Sequence, residues 1–325
     1  MRTAISSLRA LPWLLLCAAA GAQDTNIARP VEQLERLMLA DPVVITQAEI
    51  SRPKISGDIT LKADISFGGA EPFRVKLRRA EPGADSFNNV PRYDLAAYEL
   101  QKLFLDPAEY VVPPTTLRML ARADLAKFQQ HVLPTFQGAD QVLCVIQYWL
   151  SDIKVIADVY DAERFASDPV YARHIGQMNL LTYLISHGDS NVGNFLIGRS
   201  DTGSRVFSID NGVAFASEAS DRGAIWQTLR VHRLPADAIE RLRKVTPDML
   251  QARFGVLAEW QLDHGRFVAV APGANLAPAR GVRIKEDHVQ MGLTTKEIRE
   301  VQRLLKSLLD QVDGGRITLF SPASP

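Results

Sequence analysis

The stretch Ser186–Gly198, SHGDSNVGNFLIG, followed by Phe207–Phe215, FSIDNGVAF, decides the fold. The apolar runs Phe195–Ile197 and Val206–Ile209 read as two short strands, with Ser200-Asp201-Thr202-Gly203-Ser204 as the turn between them. Asn194 lies eight residues before Thr202 and Asp210 eight after it. An antiparallel hairpin centred there brings Asn194 and Asp210 together at its open end. Asp189 stands five residues before Asn194, on the loop leaving the apolar helical segment Ala172–Ser186. Three oxygen-bearing side chains thus converge on one mouth. Two of them suit a hard cation such as Mg2+, and the third faces an acceptor.

The spacing sharpens this. His187-Gly188-Asp189 with Asn194, then Asp210-Asn211-Gly212, meets the pattern H-x-D-x-x-x-x-N followed by D-x-G of a kinase catalytic loop and metal-binding turn. Each piece alone is an ordinary turn signal. The order, the hairpin and the closing glycine give the combination its weight. His187 reads as structural rather than catalytic.

Upstream, residues 58–67 alternate apolar and polar, with Ile59, Leu61, Ala63, Ile65 and Phe67 on one face. Gly68-Gly69 breaks the run, and FRVKLRR resumes it with Phe73, Val75 and Leu77. This pair is a predicted β-hairpin. Gly68-Gly69 reads equally as a phosphate-binding loop or as a plain hairpin turn. Tyr93–Leu105 is predicted helix, Tyr110–Pro114 a strand ended by prolines, and Gln141–Leu150 a buried strand. After about residue 155 the pattern is mostly helical, including Ala238–Val245, Asp248–Trp260 and Lys296–Val312, the last preceded by the N-cap candidates Thr294 and Thr295.

With these residues in place, DSNVGNFLI and FSIDNGVAF resemble the D-R-x-x-x-N and I-D-N-G-L-A-F signatures of type II phosphatidylinositol 4-kinases, and the related Golgi secretory-pathway protein kinases and HipA-like kinases. RYDLAAYELQKLF followed by YVVPPT is similar to their E-x-A-A-Y-x-L-x-x-L-L and V-P-P-T segment. The resemblance covers roughly residues 58–216. It implies an α+β, two-lobed protein-kinase-like fold: an extension at 23–57, a β-rich N-lobe at 58–150 and a helical C-lobe at 151–325. It implies ATP with Mg2+ or Mn2+ as cofactors. Lys76 would meet the α- and β-phosphates and Asp94 would be its carboxylate partner. Asp189 would orient and deprotonate the acceptor hydroxyl, and Asn194 and Asp210 would hold the metal. Cys144, Gln147, Tyr148 and Trp149 would fall on the strand leading to an adenine-binding hinge, and a plain core-strand reading accounts for most of them equally. The chain departs from the pattern at Asp94, one methylene shorter than the usual Glu, with Glu99 as a substitute on another helix face. It also lacks a G-x-G-x-x-G loop and the Arg before Asp189.

Composition sets the outer limits. The chain has 325 residues, 46% hydrophobic, with 37 basic and 37 acidic side chains. That neutral balance gives no electrostatic footprint for nucleic acid or a membrane surface. The six histidines have no zinc-ligand spacing. Residues 1–22 read as a signal peptide: Arg2 and Arg9, a short apolar run from Leu11, then Ala20-Gly21-Ala22. Its removal leaves Cys144 as the sole cysteine, so no internal disulfide is expected. No further stretch is long and apolar enough to span a bilayer. The expected function is an exported kinase, periplasmic or extracellular, moving the γ-phosphate of ATP to a hydroxyl of a protein, lipid headgroup or sugar. A non-catalytic pseudokinase scaffold and a kinase fold transferring a nucleotidyl group are the alternatives.

Overall fold

The computed structural model describes residues 26–51, 60–86, 89–200 and 204–321. The predicted signal peptide, residues 1–22, lies outside the described residues, as does the predicted turn tip at 201–203.

The first lobe opens with helix α1 (Val31–Leu39), whose Val31, Leu34 and Met38 make a buried stripe at helical spacing. There follow β1 (Val43–Ile50), β2 (Thr60–Phe67), β3 (Phe73–Arg79), α2 (Pro91–Gln101), β4 (Thr115–Ala121), α3 (Arg122–Ala126) and β5 (Gln141–Tyr148). The strands form one antiparallel sheet in the order β1-β2-β3-β5-β4. Leu61, Ala63, Ile65 and Phe67 of β2 and Phe73, Val75 and Leu77 of β3 share a core with Leu34 and Met38 of α1. The alternation read from the sequence is therefore the alternation that packs.

Two details differ from the sequence reading. Tyr110–Pro114 is irregular, and the strand begins at Thr115, after the prolines. Gln101 supplies the pairing that a ladder would give: its Oε1 accepts from the N–H groups of Val111 (2.9 Å) and Val112 (2.8 Å), and its Nε2 donates to the Val112 carbonyl. Gly68-Gly69 forms the β2–β3 turn, with φ of +59° and +76°. That turn sits at the end of the hairpin remote from the Thr60–Arg78 pair.

The second lobe contains β6 (Ile153–Lys154), α4 (Ala162–Ser167), α5 (Pro169–Leu184), β7 (Phe195–Gly198), β8 (Val206–Ser208), β9 (Arg233–Pro235), α6 (Ala236–Leu242), α7 (Pro247–Phe254), β10 (Ala258–Asp263), β11 (Arg266–Val270), β12 (Val282–Lys285), β13 (His288–Met291), α8 (Thr295–Asp313) and β14 (Thr318–Phe320). Buried α5 is its axis. Asp168 starts it by accepting from the N–H groups of Val170 and Tyr171, with Pro169 in the first turn. Thr294 and Glu297 close a capping box on α8.

This lobe is less helical than the sequence pattern predicts. Asp248–Trp260 is not one helix: α7 stops at Phe254, and Ala258–Asp263 is β10 of a four-stranded antiparallel sheet ordered β11-β10-β13-β12. The chain is captured there by backbone bonds from Leu257 N–H to Met291 O (2.7 Å) and from Leu293 N–H to Phe254 O (2.8 Å). Trp260, Phe267, Val289 and Met291 of this sheet pack on Leu95, Leu117, Leu143 and Val145 of the first lobe. The Phe267 N–H also donates to the Gln141 side chain of β5 (2.5 Å). The late sheet therefore completes a core begun by the early one. No helix among the described residues is long and apolar enough to cross a membrane.

Candidate active site

Strand alternation places Lys76 and Arg78 on the face of β3 opposite Val75 and Leu77. That face looks towards the first turn of α2, where Asp94 stands, and towards the loop after β8, where Asp210 stands. The Lys76 Nζ lies 3.1 Å from Asp210 Oδ1. Arg78 reaches two carboxylates: Nη1 donates to Asp210 Oδ1 at 2.8 Å, and Nη2 donates to Asp94 Oδ2. Both Arg78 and Asp94 are buried, at 1% and 2% exposure. Burial pushes the Asp94 carboxyl up, against the pull of Arg78 and Lys76, and the Asn211 backbone N–H donates to it as well. Strand β3, helix α2 and the turn after β8 are thus joined through four charged side chains.

The expected pairing of Lys76 with Asp94 is not the direct contact that forms. Asp94 is held by Arg78, and Lys76 by Asp210. The substitute, Glu99, points elsewhere and binds Lys102 (2.6 Å) and Arg253 (2.8 Å). The short Asp side chain is met by a longer cation two residues further along the strand.

The hairpin of β7 and β8 pairs Phe195 with Ser208, and the Ile209 N–H donates to the Asn194 carbonyl at 2.8 Å. Asn194 therefore sits beside Ile209 and adjacent to Asp210, as its spacing predicts. Its Nδ2 donates to the Asp189 carbonyl (3.3 Å), which ties the start of β7 to the loop before it. Asp210 adopts φ +60°, a left-handed conformation that Asp tolerates better than bulky residues. Phe215, also left-handed at +53°, is pinned by its N–H to the Ile185 carbonyl (2.5 Å), and its ring rests on Tyr93 of α2.

Asp189 is buried to 8% exposure yet well supplied with donors. Its Oδ1 accepts from the Ser220 hydroxyl (2.9 Å) and the Asn191 N–H (3.2 Å), and Arg222 approaches Oδ2 at 3.5 Å. The preceding Gly188 leaves little room for a side chain: a Cβ there would lie 3.1 Å from Val213 and 3.3 Å from the Ala219 Cα. His187 is fully buried against Phe195, and its Nδ1 accepts from the Asp189 N–H (3.3 Å). Burial holds its imidazole down at about 4, so it is neutral at pH 7. Ser220 and Arg222 carry no motif signal in the sequence. Arg78 carries no motif either, beyond sharing a strand face with Lys76.

Asp210 and Asn194 are two hard oxygen donors at one mouth, and the Asp210 side chain is 38% exposed. Among the described residues no three His, Cys, Asp or Glu side chains cluster as an all-protein metal cage. Two protein donors fit Mg2+ or Mn2+, because such ions keep water and phosphate oxygens as their remaining ligands.

No protein-family profile and no curated protein matches the chain. Among solved structures, it is similar to a crystal structure of the Golgi casein kinase, with a TM-score of 0.51 and 13% identity over 88% of this chain and 74% of that one. A second structure of the same kinase, described as having Mn/ADP bound, gives a TM-score of 0.49 and 14% identity over 86% of this chain and 74% of that one. The chain thus has a two-lobed, protein-kinase-like α+β fold, with a β-rich first lobe and a helix-containing second.

Proposed function

We propose that the protein is a kinase-like phosphotransferase that moves the γ-phosphate of ATP to a hydroxyl acceptor. One observation supports this reading: Lys76 and, through Arg78, Asp94, from one segment, are linked by ion pairs to Asp210, about a hundred residues further on, whose hairpin also carries Asn194 with Asp189 on the loop before it. In this reading Lys76 faces the phosphates, and Asn194 and Asp210 hold Mg2+ or Mn2+. The metal supplies charge neutralisation for the transferring phosphoryl group. Asp189, oriented by Ser220 and Asn191, accepts the proton of the acceptor hydroxyl. The acceptor oxygen bonds to the γ-phosphorus, the bond to the β,γ-bridging oxygen breaks, and ADP leaves. The chain's share of the work is positioning and electrostatics, which is most of what phosphoryl transfer requires.

The motif resemblance to type II phosphatidylinositol 4-kinases and HipA-like kinases concerns these same residues. The signal-like residues 1–22 support export, with delivery to the periplasm or medium. The acceptor class is open among protein, lipid headgroup and sugar hydroxyls.

The test is direct. Purified protein is heated with and without ATP and Mn2+, then incubated with labelled ATP. A rise in melting temperature that Asp210→Ala abolishes, with label transfer that Asp189→Ala abolishes, supports the reading. No shift with any nucleoside triphosphate and metal overturns it. A shift without transfer favours the nucleotide-binding scaffold, a reading motivated by the two cations already seated on Asp210. An acceptor gaining nucleotidyl mass rather than phosphate overturns the kinase assignment.

A further inference from the structure

We infer that two jobs usually carried by one β3 lysine are divided here between Arg78 and Lys76: Arg78 is the positioning residue that ties α2 to the metal-binding turn, and Lys76 is the cation that meets the nucleotide phosphates. This rests on the kinase reading of the site.

Three observations support the division. The first is geometry. Arg78 bonds Asp94 of α2 and Asp210 of the turn at once, whereas Lys76 contacts Asp210 alone among these carboxylates. A guanidinium presents several N–H donors in a fixed planar fork, so it bridges two carboxylates that a single ammonium holds less rigidly. The second is access. The Arg78 side chain is 1% exposed and the Lys76 side chain 12%, so an entering phosphate reaches Lys76. The third is length. Asp94 is one methylene shorter than Glu, and Arg78 is longer than the lysine it stands in for. The longer cation reaches the shorter carboxylate directly. The doubt raised by Asp94 in the sequence is thereby answered within the structure. Charge also closes: Lys76 and Arg78 balance Asp94 and Asp210.

The exchange of lengths gives the decisive experiment. Arg78→Lys and Asp94→Glu are made singly and together in the full chain. Each single variant is expected to lower the melting temperature and to cut turnover tenfold or more. The double variant, which restores the ordinary Lys–Glu pair, is expected to recover to within about threefold of the parent turnover, a difference of under 1 kcal/mol. Lys76→Met is expected to leave the melting temperature within about a degree while abolishing the shift given by ATP and Mn2+, or raising the nucleotide KM at least tenfold.

A double variant no better than the worse single variant overturns the tether. An undiminished nucleotide shift in Lys76→Met overturns the assignment of Lys76 to phosphate. Failure of the parent protein to respond to nucleotide is a different result: it removes the kinase reading. The tether is still decided there, because melting temperatures of the parent and the three length variants measure the Arg78–Asp94 coupling without nucleotide.

Discussion

Replacing Glu297 with Ala is expected to destabilise the protein by about 4–6 kcal/mol. Glu297 is the third residue of α8, yet its carboxylate serves α2 of the other lobe. Oε2 accepts from Arg92 Nη1 at 2.7 Å and from the Thr294 backbone N–H at 2.7 Å, and Oε1 accepts from the Tyr93 hydroxyl at 2.5 Å. Arg92 is 4% exposed and Glu297 8%. Burial opposes the charge on each, and each partner holds the other ionised: Arg92 is raised and Glu297 lowered from their ordinary values. Removing one member of such a pair strands a buried charge, at a cost of about 3–5 kcal/mol. Loss of the capping box adds about 1 kcal/mol. Asp85, 3.7 Å from Arg92 but half exposed, offsets little of this. For a chain of this size each kcal/mol lowers the melting temperature by about 2 °C, so a fall of roughly 10 °C is expected. The double change Arg92→Met with Glu297→Met removes both charges and retains apolar volume. It should cost less than either single change. Urea denaturation and thermal melts of Glu297→Ala, the two single methionine changes and the double decide the matter. A loss below 1 kcal/mol in Glu297→Ala, or a double variant as unstable as the sum of the singles, refutes the reasoning.

Three further outcomes follow from the geometry. His174 and His187 are buried and held down at about 4 against an ordinary value near 6.5, so the unfolded chain takes up protons the folded one refuses. Their contribution is complete above pH 6.5 and is lost as pH falls towards 4, about 3 kcal/mol for each; urea midpoints unchanged between pH 7.5 and pH 4.5 would contradict this. Gly292→Ala should destabilise by several kcal/mol, since a Cβ there would lie 2.3 Å from the Gly255 carbonyl oxygen, and backbone must move; a melt within 1 °C of the parent would show that this junction yields cheaply. Ser220→Ala removes a 2.9 Å donor to Asp189 and should lower turnover by about tenfold, with the nucleotide-induced thermal shift intact; equal loss of both would place Ser220 in binding instead.

Much of this was legible in the chain because local pattern and tertiary role agree. Leu61, Ala63, Ile65 and Phe67 alternate and are all buried. The distance between Asn194 and Asp210 encodes a hairpin register that the backbone bond from Ile209 to Asn194 realises to within one residue. The illegible parts are those whose structure is imposed from elsewhere. Met249, Leu250, Phe254, Leu257 and Trp260 suit a helix by spacing, but pairing with β13 and packing against Leu143 and Val145 draw the latter half into a strand. Pro113-Pro114 reads as the end of a strand and in fact precedes one. Arg78 looks like an ordinary strand-end cation until Asp94 and Asp210, 16 and 132 residues away, are seen to share it.

The sheet of β10–β13 also sets an order of events during synthesis. Leu117, Leu143 and Val145 leave the ribosome early, but the side chains that cover them, Trp260, Phe267, Val289 and Met291, emerge over the stretch from about 115 to about 145 residues after Val145, about 6–30 s later at ordinary elongation rates. Until then the nascent first lobe carries an uncovered apolar face beside its own core. A nascent chain halted near residue 150 is thus a natural client for a holding chaperone, and a protein released whole is not.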